Sequence, residues 1–410
     1  MFKKLAAVVL AVLMVMSIAT VFTSCSGGVS ADFKIGVILI GDETEGYSKA
    51  HIDGIKDAAK GLGVADSQII WKYKVEENST CLDAATDLVG QGCDLIISNS
   101  YGHQTYMVQA AEQFPDVLFA SMTGDFAALT GLPNFVNGFT KVFQSRYVSG
   151  VVAGMKVAEL LANGTISESA TPEHFDNGNV KIGYVGAFTY AEVISGYTSF
   201  YLGAKSVCPT VTMDVQFTGS WYDVTSENEA AKALIARDCK LISQHADSMG
   251  APNACEEAGI PNVSYNGSTQ EACPNTFIVS SRINWAPYYE YMINQVIKGE
   301  EIADDWTGTL ATGSVVLTDI NENVAAEGTK AAIEDAMAKL KAGELHVFDA
   351  STFTVDGKTL TSYKADVDTD DAFTPDTEVI ENGVFFESKF RSAPYFDIRI
   401  DGITLVNEKF

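Results

Sequence analysis

The 410-residue chain carries 53 Asp and Glu against 27 Lys and Arg, a formal charge of −26 at pH 7. That balance excludes nucleic acid as a partner and disfavours phosphate-rich ligands, because both are held by clustered cations. Hydrophobic residues at 47% against 20% charged describe a globular chain with a large core, long enough for two domains. The N-terminus reads as an export signal: Lys3 and Lys4, an apolar run from Leu5 to Ala19, then Val21-Phe22-Thr23-Ser24-Cys25. Cys25 at its end, followed by Ser-Gly-Gly, resembles the lipobox of bacterial lipoproteins. The reading is a signal peptide over 1–24, lipid on Cys25, and a linker over 25–32 tethering the chain to the outer side of the cell membrane. Loss of 1–24, with its two lysines and no acid, takes the charge from −26 to −28. No later stretch reaches the roughly 18–20 apolar residues that a spanning helix needs.

The predicted elements alternate strand and helix. FKIGVILIG (33–41) is a buried strand, followed by the loop GDETEGYSKAH and a helix to Leu62. A strand over 69–75, a helix over 80–91 and a strand over 94–98 come next. A helix then stops at Pro115, and a strand runs to Thr123-Gly124, with another over 134–142. The helix over 145–161 carries Gly150 and Gly154, which permit close packing, and 162–179 reads as a polar surface loop. A second series begins with KIGYVGAF (181–188): helix 191–207, strand 211–221, a helix from 229, a strand from Leu241, helix 251–258 and strand 262–267. TFIVSSRI (276–283) and a helix over 285–297 are expected to return to the first unit, with crossings near 140–145, 275–280 and 310–320. The lobes are then 33–144 plus 278–318 and 145–277 plus 319–410. The tail from 344 is rich in strands and turns, and the acidic 366–376 reads as a solvated loop.

Two landmarks recur. DAATDLVGQGCDLIISNSYG (83–102) lies on EAAKALIARDCKLISQHADS (229–248) at an offset of 146, pairing Cys93 with Cys239. KIGV at Lys34 and KIGY at Lys181 are offset by 147. This duplication predicts two α/β lobes of one layout. Open parallel sheets bind ligands beyond the carboxyl ends of their strands, so two facing lobes make a cleft. The six cysteines after Cys25 have no CxxC and no Cys/His ligand spacing, which predicts buried free thiols rather than a zinc site.

The stretches KIGYVGAFTYAEVISGYTSFYLGAKSV, GSWYDVTSENEAAKALI and SQHADSMGAP resemble the basic membrane protein (BMP) family of PnrA-like substrate-binding lipoproteins of ABC transporters. IGDETEGYSKAHIDG, QFPDVLFASMTG, SRYVSGVVAGM and SSRINWAPYY agree, and the likeness runs over about 33–348. The resemblance implies a type I periplasmic-binding-protein fold, two Rossmann-like lobes with a hinge and a ligand cleft. It also implies a purine nucleoside or nucleobase as ligand and ABC permease subunits as partners. One departure is Asn266, where the family often has Asp.

A flat heterocycle is held by aromatic faces and a few edge-reading hydrogen bonds. Tyr47 and Phe188, one from each lobe, are expected to face each other across the cleft, with Trp221 lining or closing it. Asp42 either accepts from a ligand or caps the following helix. Asp247 is the expected acceptor in the second lobe, His245 and Asn99 occupy parallel strand ends, and Asn266 is a further candidate. No catalytic residue, metal site or cofactor is expected. There is no GxSxG, Walker loop, GxGxxG or HExxH, and His245, Asp247 and Ser248 are too close in sequence for an ordered triad. A nucleoside-delivering lipoprotein is therefore set against a sugar or other small-solute binder of the same fold, and against a surface signalling lipoprotein without transport.

Overall fold

A computed structural model of the chain describes residues 29–167, 175–176, 178–368 and 374–407. The export signal, Cys25 and part of the acidic 366–376 lie outside these residues. Two parallel sheets form the frame. The first contains β1 (Ile35–Ile38), β2 (Ile69–Lys72), β3 (Leu95–Ser98), β4 (Leu118–Met122) and β5 (Phe135–Thr140), ordered 2-1-3-4-5. After β6 (Phe175–Asp176), the second contains β7 (Asn179–Gly186), β8 (Val211–Phe217), β9 (Ile242–Gln244), β10 (Asn262–Tyr265) and β11 (Phe277–Ile283). Its order, 8-7-9-10-11, repeats the first. The duplication visible in the sequence is thus a duplication of topology. The strands of both sheets are buried over most of their length, as befits parallel sheets covered by helices on both faces.

Local chemistry sets the helix limits. α1 (Gly46–Leu62) starts where the Glu45 carboxylate accepts from the Ser48 N–H, and ends at Gly63, whose φ of 78° suits glycine. α2 (Ser79–Gly90) is capped by Asn78, while α3 (Gln104–Gln113) and the short α4 (Phe126–Thr130) flank β4. α5 (Val142–Ala162) follows β5, and α6 (Ala191–Val207) follows β7. Asp223 caps α7 (Val224–Ala236), accepting from Thr225 and Ser226 N–H at 3.0 and 2.9 Å. α8 (Gly250–Ala258) precedes β10, and α9 (Ala286–Lys298) follows β11.

The lobes exchange their last helices. α5 leaves the first sheet and packs against α6 of the second, while α9 leaves the second sheet and packs against α1 of the first. The expected boundaries need two corrections, because 278–283 and 315–317, both expected in the first lobe, lie in the second sheet. The strand over 277–283 stays in the second sheet beside β10, as the counterpart of β5, so the crossing falls after Ile283 and not near 275–280. The first lobe regains α9 and β12 (Asp305–Gly308), which lies parallel to β5. β13 (Val315–Leu317) is already back in the second sheet, antiparallel to β11. Helix α10 (Thr329–Ala342) then leads to a tail of short pairs, β14 (Lys364–Ala365) with β15 (Thr377–Glu378) and β16 (Ile380–Glu381) with β17 (Val384–Phe385). The tail closes with β18 (Ile403–Leu405), which extends the second sheet beside β8. Phe348, Phe385 and Phe396 of this tail join the second-lobe core. All six described cysteines are buried free thiols, as expected.

The α5–α6 contact is backbone on backbone. A Cβ added at Gly150 would sit 2.0 Å from the Phe200 carbonyl oxygen, at Gly154 2.4 Å from that of Ala204, and at Gly203 2.0 Å from that of Tyr147. We therefore expect Gly150→Ala and Gly203→Ala each to cost about 1–3 kcal/mol in urea unfolding, as overpacking against immobile backbone does. Gly61→Ala, in α1 with nothing within 4 Å, should stabilise by about 0.5–1 kcal/mol.

Candidate functional site

The carboxyl ends of both sheets face one narrow cavity of about 20 Å³, roughly the room that a single water molecule needs. The first lobe lines it with Ile40 and Glu45 after β1, Tyr47 in the first turn of α1, Asn99 to Tyr101 after β3, and Thr123 after β4. The second lobe contributes Glu192 at the start of α6, Trp221 after β8, His245 and Asp247 after β9, and Tyr265 at the end of β10. These are the strand ends around the β1/β3 and β7/β9 positions, where strand order reverses. The cavity opens into an outer vestibule lined by Asp42, Lys74, Phe188, Trp221 and Tyr222, among others.

Of the eight residues singled out from sequence, Tyr47, Asn99, Trp221, His245 and Asp247 come together on the cavity wall. The Tyr47 hydroxyl donates to the Asn99 carbonyl at 2.5 Å. The Asn99 side chain accepts from Ile40 N–H at 2.9 Å and donates to Ser48 Oγ at 3.1 Å, so it ties the β1 and β3 ends to α1. Trp221 meets Phe188 edge-on at 5.1 Å, and its carbonyl accepts from Asp247 N–H at 2.9 Å.

Three residues lie elsewhere. Phe188 belongs to the vestibule, stacked on Tyr190 at 5.1 Å, because the chain turns outward after β7 and a rim cluster with Trp221 takes its ring. The expected Tyr47–Phe188 sandwich is therefore not formed, and the aromatic walls are Tyr47, Tyr101, Trp221 and Tyr265. Asp42 is also in the vestibule, paired with Lys74 at 2.7 Å and accepting from Thr44 N–H, contacts that hold its carboxyl well below the usual range. Asn266 sits behind the wall at a φ of 57°, its amide nitrogen 3.4 Å from Asp247 Oδ1.

Two wall acids, Glu45 and Glu192, are absent from the residues singled out from sequence. They are separated by the same 147 residues as Lys34 and Lys181, so the repeat itself held the signal. Burial pushes both carboxyls up to about 7, with nearby acids adding to the effect. Asp247 is pushed well above its ordinary range, by burial first and then by Glu45, Glu227 and Glu192. His245 Nε2 lies 3.4 Å from Glu192 Oε1 and Nδ1 lies 3.4 Å from the Tyr184 hydroxyl. Burial, and then Arg146, hold the imidazole well below its usual pKa. The His245–Glu192 contact is accordingly a hydrogen bond rather than an ion pair. Gly196 makes room for that imidazole, since a Cβ there would meet Nδ1 at 2.6 Å.

Among the described residues no Lys or Arg lines the cavity. The nearest buried cation is Arg146, from α5. Its guanidinium lies 3.6 Å over the Tyr265 ring, and Nη1 donates to the Gln244 carbonyl at 2.7 Å. No cluster of His, Cys, Asp and Glu able to hold a metal occurs among the described residues, and none of their helices is long and apolar enough to cross a membrane. With the lobes further apart, the same residues could hold a small, flat or ring-shaped molecule by aromatic contact and accept hydrogen bonds from its edge.

The raised carboxyls make stability depend on pH. A folded pKa near 7 against an unfolded value near 4.5 means that the native state holds more protons between these limits, so stability falls as pH rises through that window. Urea unfolding should show a loss from pH 5 to pH 8 on the order of 1–3 kcal/mol per carboxyl. Glu192→Gln should give a shallower slope than the parent chain; an unchanged slope would count against Glu192 as a titrating group.

The profile of the family described as "ABC transporter substrate-binding protein PnrA-like" (Bmp) matches residues 40–347. A purine-binding protein of Brucella abortus is 28% identical over 83% of this chain and 91% of its own length. A protein of Haloferax volcanii named for ABC-transporter glucose binding is 28% identical over 63% of this chain, and the match spans only 60% of that protein. Among solved structures, an ABC-transporter solute-binding protein from Aeropyrum pernix superposes with a TM-score of 0.62 at 15% identity, covering 80% of this chain and 94% of that one. One from Conexibacter woesei gives 0.59 at 20% identity, covering 77% and 98%. The fold is thus that of periplasmic-binding-protein-like solute receptors, and the chain belongs to the PnrA-like family of ABC-transporter substrate-binding proteins.

Proposed function

We propose that the protein is an extracytoplasmic solute-binding lipoprotein that captures a purine nucleoside or nucleobase between its lobes and delivers it to an ABC permease. The observation that carries this reading is the cavity wall. Tyr47, Tyr101, Trp221 and Tyr265 offer ring faces, while Glu45, Glu192 and Asp247 offer oxygens without a lining cation. Base stacking is worth about 1–3 kcal/mol per base, and buried carboxyls suit the N–H groups of a purine edge or the hydroxyls of a ribose. No lining Lys or Arg would offset the charge of a phosphate, so the unphosphorylated compounds are favoured. The named activity of the Brucella abortus relative agrees.

A sugar is the second reading. Aromatic faces and carboxylates also hold carbohydrates, and the Haloferax volcanii relative is named for glucose. The two are separated by ligand binding. Adenosine, guanosine, inosine and the free bases should raise the melting temperature by a few degrees at saturation, while their monophosphates, ribose and glucose should not. A shift with glucose and none with any purine would replace the nucleoside by a sugar. Trp221→Ala should weaken purine binding by about tenfold or more, and Phe188→Ala, from the vestibule, by less.

The anchor is tested separately. Lipid on Cys25 should carry the protein into the detergent phase, and Cys25→Ser should leave it in the aqueous phase. An unmodified Cys25 in the native host would remove the lipoprotein part of the proposal and leave the binding part standing.

A further inference from the structure

The family match ends at residue 347, yet the chain beyond it reaches both lobes beside the cavity. Glu387, buried at the end of the tail's second hairpin, accepts from the Ser195 hydroxyl in the first turns of α6. Glu192, three residues earlier, lines the cavity and lies close enough for the Glu387 charge to push its carboxyl up. A few residues on, the tail touches the first lobe. The Arg391 guanidinium pairs with Asp125 at 3.1 Å, and Ser392 donates to the Asp305 carboxylate through its N–H at 2.6 Å and also through its hydroxyl. Asp125 follows β4 on the cavity side and is itself held by Gln104, which donates from Nε2 and accepts from the Asp125 N–H. Asp305 opens β12, the edge strand of the first sheet. Ser392 is fully buried, and Arg391 and Asp125 are largely so. Arg391 and Asp125 also act in opposite directions on the hydroxyl of Tyr101, a cavity wall residue.

The tail's other end is fixed to the second lobe by its aromatic core contacts and by β18. Its contacts with Asp125 and Asp305 must therefore break if the lobes separate by rotation about the crossings. We infer that the stretch 387–392 is a latch between the lobes, and that Arg391 and Ser392 are positioning residues for ligand capture. They do not line the cavity. They hold the Tyr101 and Thr123 side of the cavity against the Glu192 and Trp221 side, so release of any ligand must first break the latch. A contact present in the closed form and absent from the open one acts on the closing equilibrium, and through it on the release rate. The inference does not depend on which ligand the cavity takes.

The test uses the full chain with site-specific dyes at exposed Glu112 in α3 and exposed Glu229 in α7, one on each lobe. Arg391→Ala and Ser392→Ala should change energy transfer between the dyes without ligand, in the sense of opening, whereas Arg391→Lys should restore most of it. Adenosine should dissociate about tenfold faster from the two alanine variants, with little change in association. Asp125→Asn removes the partner from the first-lobe side and should reproduce the Arg391→Ala result, which covers the case of a tail variant that fails to fold. Unchanged transfer in folded Arg391→Ala, Ser392→Ala and Asp125→Asn chains would overturn the latch. Should no purine bind, the nucleoside reading fails on its own, and the dye measurement still decides the latch.

Discussion

The contact between α5 and α6 fixes the helix that leaves the first sheet onto the second lobe. Three glycines, two on one helix and one on the other, let the helix backbones touch, so the crossing has no side-chain layer that could yield. α5 begins right after the hinge at the end of β5, and α6 carries Glu192 in its first turn. Locking the two helices therefore sets where the first lobe's outgoing chain joins the second lobe. It also aims Arg146 under Tyr265 and at the Gln244 carbonyl, beneath the cavity wall. Close-packed interiors transmit such a constraint because they leave no slack to absorb it.

On that frame stands an electrostatic arrangement of acids without an adjoining cation. Isolated charges in a closed cavity cost several kcal/mol each. Glu45, Glu192 and Asp247 avoid this by holding their protons to higher pH, and through partners such as Ser48, His245 and Asn266. Arg146 supplies positive potential from behind the wall without occupying it. The outer vestibule differs: Asp42 is ionised against Lys74 and helps shape the mouth. One loop, 41–47, thus contributes a charged rim residue and a wall residue whose carboxyl is pushed up to about 7, separated by three positions and by their exposure.

The tail shows how a segment outside the family match can bear on the shared site. Its apolar residues complete the second-lobe core, where Phe348 stacks on Phe396 at 4.2 Å. Its polar residues meet acids at the cavity flank. Asp305 is largely buried, and burial pushes its carboxyl up despite two hydrogen bonds from Ser392, so that contact depends on the two surfaces staying together.

The amino-acid pattern alone determined the two-lobe plan. The repeats at Lys34 and Lys181 and at Cys93 and Cys239 record strands and helices whose burial is set by local periodicity. The buried thiols and the strand-end positions of Tyr47, Asn99, Trp221, His245 and Asp247 were legible for the same reason: strand ends are local, and parallel sheets collect them on one side. Which side chains turn inward was not local. Phe188 and Asp42 each had nearby partners, Tyr190 with Trp221 and Lys74 with Thr44, that drew them to the rim. Glu45 and Glu192 read as ordinary loop and helix acids until the packing of both lobes buried them. The membership of strand 277–283 in the second sheet, and the reach of Arg391 and Ser392 to the first lobe, rest on contacts between residues far apart in the chain. Only tertiary structure decides such contacts, because their free energy comes from surfaces that no local window of sequence contains.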